Sequence, residues 1–207
     1  MVTYDRRASQ YRNDKGQFVP RPEITRLLNQ EIGRSEARLK AHTRLLTQGK
    51  IHLAEWQIRM AETIKTSHLQ MAMLSSGGKE QLTPRHYGAI GSQLRKQFEY
   101  LDNFARDLYA GKVTPTQAIR RSGLYAESVK ITFSRAEQIS RIEEGFNAGK
   151  RILDAGARHC SECIDYQRLE WTAIADIIPV GTNCSCQNRC KCRIVFARIG
   201  RTLTAIE

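Results

Sequence analysis

Residues Thr83–Gly111 read TPRHYGAIGSQLRKQFEYLDNFARDLYAG. Within them Tyr87, Ile90, Leu94, Phe98, Leu101, Ala105 and Leu108 recur at spacings of 3, 4, 4, 3, 4 and 3. That is the period of one face of an α-helix, not the alternation of a strand. Thr83 suits the cap, Pro84 the first turn and Gly111 the exit. This is the cleanest amphipathic signal in the chain, and it points to a mainly α architecture.

The same period extends on both sides. Toward the N-terminus, Leu28, Ile32, Leu39 and Leu46 predict a helix over 23–48, with Pro22 at its first position and Gly49 at its break. A second helix over 51–75 carries Leu53, Trp56, Met60, Ile64, Met71 and Leu74 and stops at Ser75-Ser76-Gly77-Gly78. The two form an antiparallel hairpin whose Met and aromatic stripe reads as core or partner surface, not as a cofactor box. Toward the C-terminus, Thr114-Pro115-Thr116-Gln117 is a capping box. Gly123 bends or splits the helix that follows. Tyr125, Val129, Phe133, Ala136, Ile139 and Ile142 continue it to Gly145 or Gly149. No internal repeat is present.

Residues 1–22 read as an extended basic arm. Asn13-Asp14-Lys15-Gly16 is a turn signal between Tyr11 and Phe18, with Gly16 suited to a positive φ, and Pro20 and Pro22 end any strand. An isolated hairpin is barely stable in water, so the arm is expected to dock on its own chain or on a neighbour.

The 207 residues are 41% apolar and 26% charged, ordinary values for a globular protein. No run approaches the roughly 18–20 apolar residues of a membrane span, and 14 Gly with 5 Pro do not make low-complexity disorder. The net charge is +12, divided as +3 over residues 1–22, +6 over 23–149 and +3 over 150–207. Such an excess favours an anionic partner such as nucleic acid, an anionic membrane or an acidic protein, or a plain solvated basic surface. The opening MVTYDRRASQ has no apolar signal region, which predicts synthesis and assembly in a reducing cytoplasm.

All six cysteines fall between residues 160 and 192. In a reducing compartment a tight local cluster reads as metal binding before it reads as a disulfide framework. The spacing is Cys160-x2-Cys163, then Cys184-x-Cys186-x3-Cys190-x-Cys192. Two thiolates on one tight turn make a half-site for tetrahedral zinc, and a second close pair completes it. Cys190 and Cys192 are the first choice for that second pair, because they adjoin a short strand pattern at Ile194 and Phe196. Cys184, Cys186 and His159 are alternate ligands. Disulfides, an iron–sulfur cluster and free thiols remain as competing readings. Arg158, Arg189, Lys191 and Arg193 surround the thiolates and offset the −2 charge of a four-thiolate zinc site. The fold expected is thus mainly α, with long antiparallel helices over 23–149 followed by a small zinc-clamped α+β lobe over 150–207. Structural zinc is the one cofactor expected.

Catalytic motifs are missing. There is no Walker loop, GxGxxG or HExxH. A zinc deaminase would need a His-x-Glu loop ahead of its cysteine pair, and none is present. His42, His52, His68 and His86 are scattered on helices, and Glu143-Glu144 reads as a solvated face. No enzyme and no small-molecule substrate are expected. The basic residues proposed to meet nucleic acid are Arg6, Arg7, Arg12 and Lys15 in the arm and Arg189, Lys191 and Arg193 in the lobe.

A helical body followed by His159-Cys160-Ser161-Glu162-Cys163, a Gly-bearing loop, and Asn188-Arg189-Cys190-Lys191-Cys192-Arg193 before a strand resembles the MuF-like phage head morphogenesis (minor head) proteins. The likeness covers roughly residues 83–197 and includes Thr114-Pro115-Thr116-Gln117 ahead of a helix with Tyr125. Gly181-Thr182-Asn183-Cys184-Ser185-Cys186 replaces the family's His-Pro-x-Cys approach and adds two cysteines. The resemblance implies a non-enzymatic virion structural protein in capsid assembly. It would be made in the host cytoplasm and placed at the portal vertex or in the head interior. Its implied partners are the portal protein, the major capsid protein and packaged double-stranded DNA, with no membrane. A metal role carries over to Cys160, Cys163, Cys190 and Cys192.

Overall fold

The computed structural model describes residues 2–200. Three short antiparallel strands come first, β1 (Thr3–Asp5), β2 (Gln10–Arg12) and β3 (Phe18–Val19), in the order β1-β2-β3. The helical body follows as α1 (Arg21–Thr47), α2 (Leu53–Ser76), α3 (Pro84–Tyr109), α4 (Pro115–Gly123) and α5 (Val129–Glu143). A 3-10 turn at Leu124–Ser128 separates α4 from α5, so Gly123 does split that element. The remainder holds β4 (Ala148–Ile152), α6 (Ser161–Arg168), β5 (Thr172–Ala173) and β6 (Arg193–Ala197). Strand β4 lies between β5 and β6 and pairs antiparallel with both. Among the described residues no helix is long and apolar enough to cross a membrane.

Helices α1 and α2 form the antiparallel hairpin the spacing predicts. Their contacts run in opposite directions along the two helices, from Ser35 with Ser67 (Oγ–Oγ 2.8 Å) to Thr43 with Trp56 (Nε1 to Oγ1 3.0 Å). Small polar residues stand on the buried stripe there because they let the helices approach and also receive the indole N–H. The core is aromatic at its centre. Trp56 and Phe104 meet edge to face at 5.2 Å, and Phe104 stacks on Tyr125 at 6.4 Å. The box at Thr114 forms as predicted, with the Gln117 N–H donating to Thr114 Oγ1 and the Thr114 N–H to Gln117 Oε1.

Three expectations need correction. On α3 the buried row is His86, Ile90, Gln93, Gln97, Leu101, Phe104 and Ala105, so Ile90, Leu101 and Ala105 of the predicted stripe are inward, while Tyr87 is exposed and Leu94, Phe98 and Leu108 are half-buried. The inward face is rotated because α3 packs on both α2 and α5. His86 turns in as part of the α3 cap: its Nδ1 accepts from the Thr83 N–H, and Nε2 lies 3.0 Å from Ser140 Oγ. His68 is likewise a satisfied core residue, between Thr132 and Ser128. Second, the Glu143-Glu144 pair is solvated only in part, since Glu143 is exposed and Glu144 is not. Glu144 is buried against Arg141 and accepts from the Tyr4 hydroxyl, and Glu143 accepts from Thr83. Third, the 1–22 segment is not extended: residues 3–19 fold into a three-stranded sheet, which docks on its own chain, one of the two outcomes expected of the arm. Tyr4 and Tyr11 are buried there; the Tyr11 hydroxyl donates to Ser75 O, and the Arg141 guanidinium stacks on Tyr4 at 3.8 Å. The sheet comes so close to the end of α2 that a Cβ at Gly77 would lie 2.2 Å from Tyr4, and φ there is +87°. Gly16 takes its predicted positive φ.

The C-terminal lobe leans on α5. Gln138 Nε2 donates to Ile174 O (2.7 Å) and Ile177 O (3.1 Å), and the Val180 N–H donates to Ser134 Oγ. These bonds tie the lobe to one helix of the body, and Cys184, Cys190 and Cys192 line clefts between the lobe and the body.

Candidate metal centre

Each half of the cysteine cluster is placed by a local rule. Cys160 is the N-cap of α6 and Cys163 lies in its first turn, where unpaired backbone N–H groups and the helix dipole favour a thiolate. On the other side, chain alternation through the start of β6 turns Cys190, Cys192 and Ile194 inward and leaves Arg189, Lys191 and Arg193 exposed. The loop between them is tied to α6. The Tyr166 hydroxyl donates to Asn183 O (2.7 Å) and Ser185 Oγ to Glu162 Oε1 (2.6 Å). That Ser185 bond, with backbone and Cys160 contacts, holds the Glu162 carboxyl down to about 2.

All six cysteines are free thiols, and they converge. The sulfurs of Cys160, Cys163 and Cys184 lie within 4.8 Å of one another, and so do those of Cys163, Cys190 and Cys192. Cys163 is fully buried and belongs to both groups. Its Sγ is 3.6 Å from that of Cys190. The edge of a zinc tetrahedron built on Zn–S bonds of about 2.3 Å is about 3.8 Å, so the spacing suits a shared ion. Cys186 interacts with Cys160 at the rim. His159 Nδ1 lies 3.7 Å from Cys192 Sγ, and His159 Nε2 lies 2.7 Å from Asp154 O. A carbonyl accepts only, so the ring proton sits on Nε2 and Nδ1 keeps its lone pair toward the sulfurs.

The quartet favoured by spacing, Cys160, Cys163, Cys190 and Cys192, is therefore not gathered as one group of four. Cys160 goes with Cys184 on the side of the 181–186 loop, and Cys190 and Cys192 go with Cys163 alone. The alternates Cys184, Cys186 and His159 all stand at the cluster.

Crowding makes the thiols unequal. Contact with Cys192 holds Cys190 down to about 4 against the effect of burial, while Cys192 is pushed up by Cys190 and by burial. Burial and its sulfur neighbours push Cys163 up. Burial raises Cys160, but bonds from Cys186 and from the backbone of Cys163 and Cys186 outweigh it and lower that thiol. Thiols crowded at such spacing could ionise together only around a cation, so the cluster could hold a metal ion.

One residue that the sequence reading passed over stands beside the cluster. Arg151 on β4 is 1% exposed, lies over the Tyr166 ring at 5.0 Å and donates from Nη2 to Ile178 O. It is near enough to Cys190 to lower that thiol. Its Nε and Nη1 are buried with no hydrogen-bond partner. An arginine so buried is costly unless an anion faces it. In the sequence it is one basic residue among many, and only its place on an inward strand position marks it.

The basic residues proposed for nucleic acid divide in two. Arg12 is paired with Asp5 at 2.9 Å, and Arg6 donates to Gln81 O and lies 3.6 Å from Glu143, so both are engaged in holding the N-terminal sheet. Arg7, Lys15, Arg189, Lys191 and Arg193 are exposed. Comparison with family models, curated proteins and solved structures returns no match to this chain.

Proposed function

We propose that this chain is a structural minor head protein of a tailed phage, without enzymatic activity, and that its cysteine lobe is held by structural zinc. The observation that carries the reading is the convergence of the Cys160-x2-Cys163 turn with Cys190-Lys191-Cys192-Arg193 against β4, after a helical body. This is the element order of the MuF-like resemblance. Zinc rather than calcium or magnesium follows from the donors, which are thiolates and one imidazole. In this role the chain acts in head morphogenesis at the portal vertex or in the capsid interior, after synthesis in the host cytoplasm. The helical body contacts the portal or major capsid protein, and the basic surface faces packaged DNA.

The test is zinc stoichiometry together with sedimentation, alone and mixed with the portal protein of the same genome. Bound zinc and co-sedimentation with the portal are expected. A protein that neither holds zinc nor sediments with portal or capsid protein overturns the proposal.

A second reading, a zinc-knuckle protein whose main task is nucleic-acid binding, is favoured by the exposed row Arg189, Lys191 and Arg193 opposite the inward cysteines. A dedicated binder with six or more phosphate contacts loses about a thousandfold in affinity between 50 and 200 mM salt. Weak, nonspecific retention on DNA fits the portal role.

A further inference from the structure

We infer that the cluster holds two metal ions, not one, with the Cys163 thiolate bridging them. The inference rests on the metal-binding reading above and deepens it.

Two tetrahedral ions need eight coordination positions. The lobe offers six cysteine sulfurs and His159 Nδ1. One sulfur counted twice makes these seven donors fill eight positions. The geometry selects which one: Cys163 is the sulfur common to both close groups. The first ion takes Cys160, Cys163 and Cys184, with Cys186, the neighbour of Cys160, as fourth ligand. The second takes Cys163, Cys190 and Cys192, with His159 as fourth. Each set thus has three donors from a compact group and one adjoining it.

His159 supports the second set independently. Its Nε2–H is engaged by Asp154 O at 2.7 Å, leaving the unprotonated Nδ1 3.7 Å from Cys192 Sγ. A backbone carbonyl that fixes the tautomer and ring direction is the usual outer support of a metal-bound histidine. A surface histidine with no ligand role has no need of it.

Arg151 supplies the matching charge. Two divalent ions with six thiolates and a neutral imidazole carry a net −2. The buried guanidinium, with Nε and Nη1 unpartnered, adds one positive charge from within the fold. The exposed row Arg189, Lys191 and Arg193 adds more from outside. A single ion in the first set would leave Cys190 and Cys192, both buried, with His159 as an empty three-donor site in contact with the first.

The experiment uses the full chain, purified without oxygen, stripped by a chelator under reduction and titrated with zinc chloride. Native mass spectrometry and elemental analysis then count the ions. Two zinc per chain are expected. After exchange with cadmium-113, two cadmium resonances split by mutual coupling through the shared sulfur are expected. His159→Ala, at a partly exposed position, should lower the count from two to one, and Cys186→Ala should also leave one, at the other set. The fold need not survive loss of Cys163 for these variants to be informative. One zinc per chain in the unaltered protein overturns the two-ion inference and leaves structural zinc standing. No zinc, or iron and sulfide in its place, overturns both. Two ions with uncoupled cadmium resonances overturn the bridge.

Discussion

The helical body and the cysteine lobe stabilise themselves by opposite means. In the body, Trp56, Phe104, Leu39, Met60, Ile64 and Leu101 are all at most 2% exposed and form one continuous apolar cluster. In the lobe the buried cluster is Cys163, Ile177, Val180, Cys184, Cys190, Cys192 and Ile194. More than half of it is sulfur. Burying large apolar side chains gives the body a core that needs no other component. The lobe has too few such side chains to offset the entropy of ordering its loops. On the proposed reading a metal cross-link supplies the difference, held by the free thiols beside Arg151. The difference, on the proposed zinc reading, is between a self-sufficient body and a lobe whose folding is conditional on a bound metal.

The contrast can be broken most directly by removing metal. Chelation of the reduced protein should unfold the lobe and leave the body intact, since structural zinc contributes roughly 10 kcal/mol of apparent folding free energy. Proteolysis confined to residues beyond 150, with helical circular dichroism largely retained, is the expected result. A lobe that resists protease without metal would show that its apolar contacts suffice.

The reciprocal experiment empties the body's core. Trp56→Ala removes the indole that packs on Phe104 and bonds to Thr43. A loss of about 3–5 kcal/mol is expected in urea unfolding, with zinc content unchanged. Loss of zinc in this variant would mean that the lobe depends on the body for more than register.

A pH series sharpens the comparison further. Desolvation lowers His68 from 6.5 to about 4. The native state therefore keeps it neutral where the unfolded chain takes up a proton. Its stabilising contribution is complete above pH 6.5 and declines as pH falls toward 4. The loss amounts to about 3 kcal/mol across that window. Urea midpoints of the body at pH 7 and pH 4.5 should show it, and His68→Gln should flatten the slope. The smallest effect belongs to the docked sheet. Tyr4→Phe removes the hydroxyl that donates to Glu144 at 3.2 Å and should cost about 1 kcal/mol, measured by the same midpoint.

Much of the helical body is legible in sequence because its signals are local. Proline entries, the Thr114 box and the α1–α2 period each involve residues within a few turns of one another. The face of α3 is legible only in part: Ile90, Leu101 and Ala105 are inward as the spacing selects, but packing against two neighbours also turns His86, Gln93 and Gln97 to the core. Glu144 looks solvated because the tyrosine that covers it comes from β1, far off in sequence, and the arginine from another turn of α5.

The candidate site shows where the boundary between sequence and structure lies. The sequence by itself determined the mainly helical body, the order of body then cysteine lobe, and the donor types that call for a soft metal. Periodicity, capping and ligand chemistry are properties of short stretches of chain. Only the tertiary structure decided that Cys163 belongs to two groups, that Cys160 goes with Cys184 instead of Cys190, that His159 aims its lone pair at Cys192, and that Arg151 waits beside the sulfurs. Those relations join a helix N-terminus, a loop and two strands, and spacing along the chain carries no information about which of them meet in space.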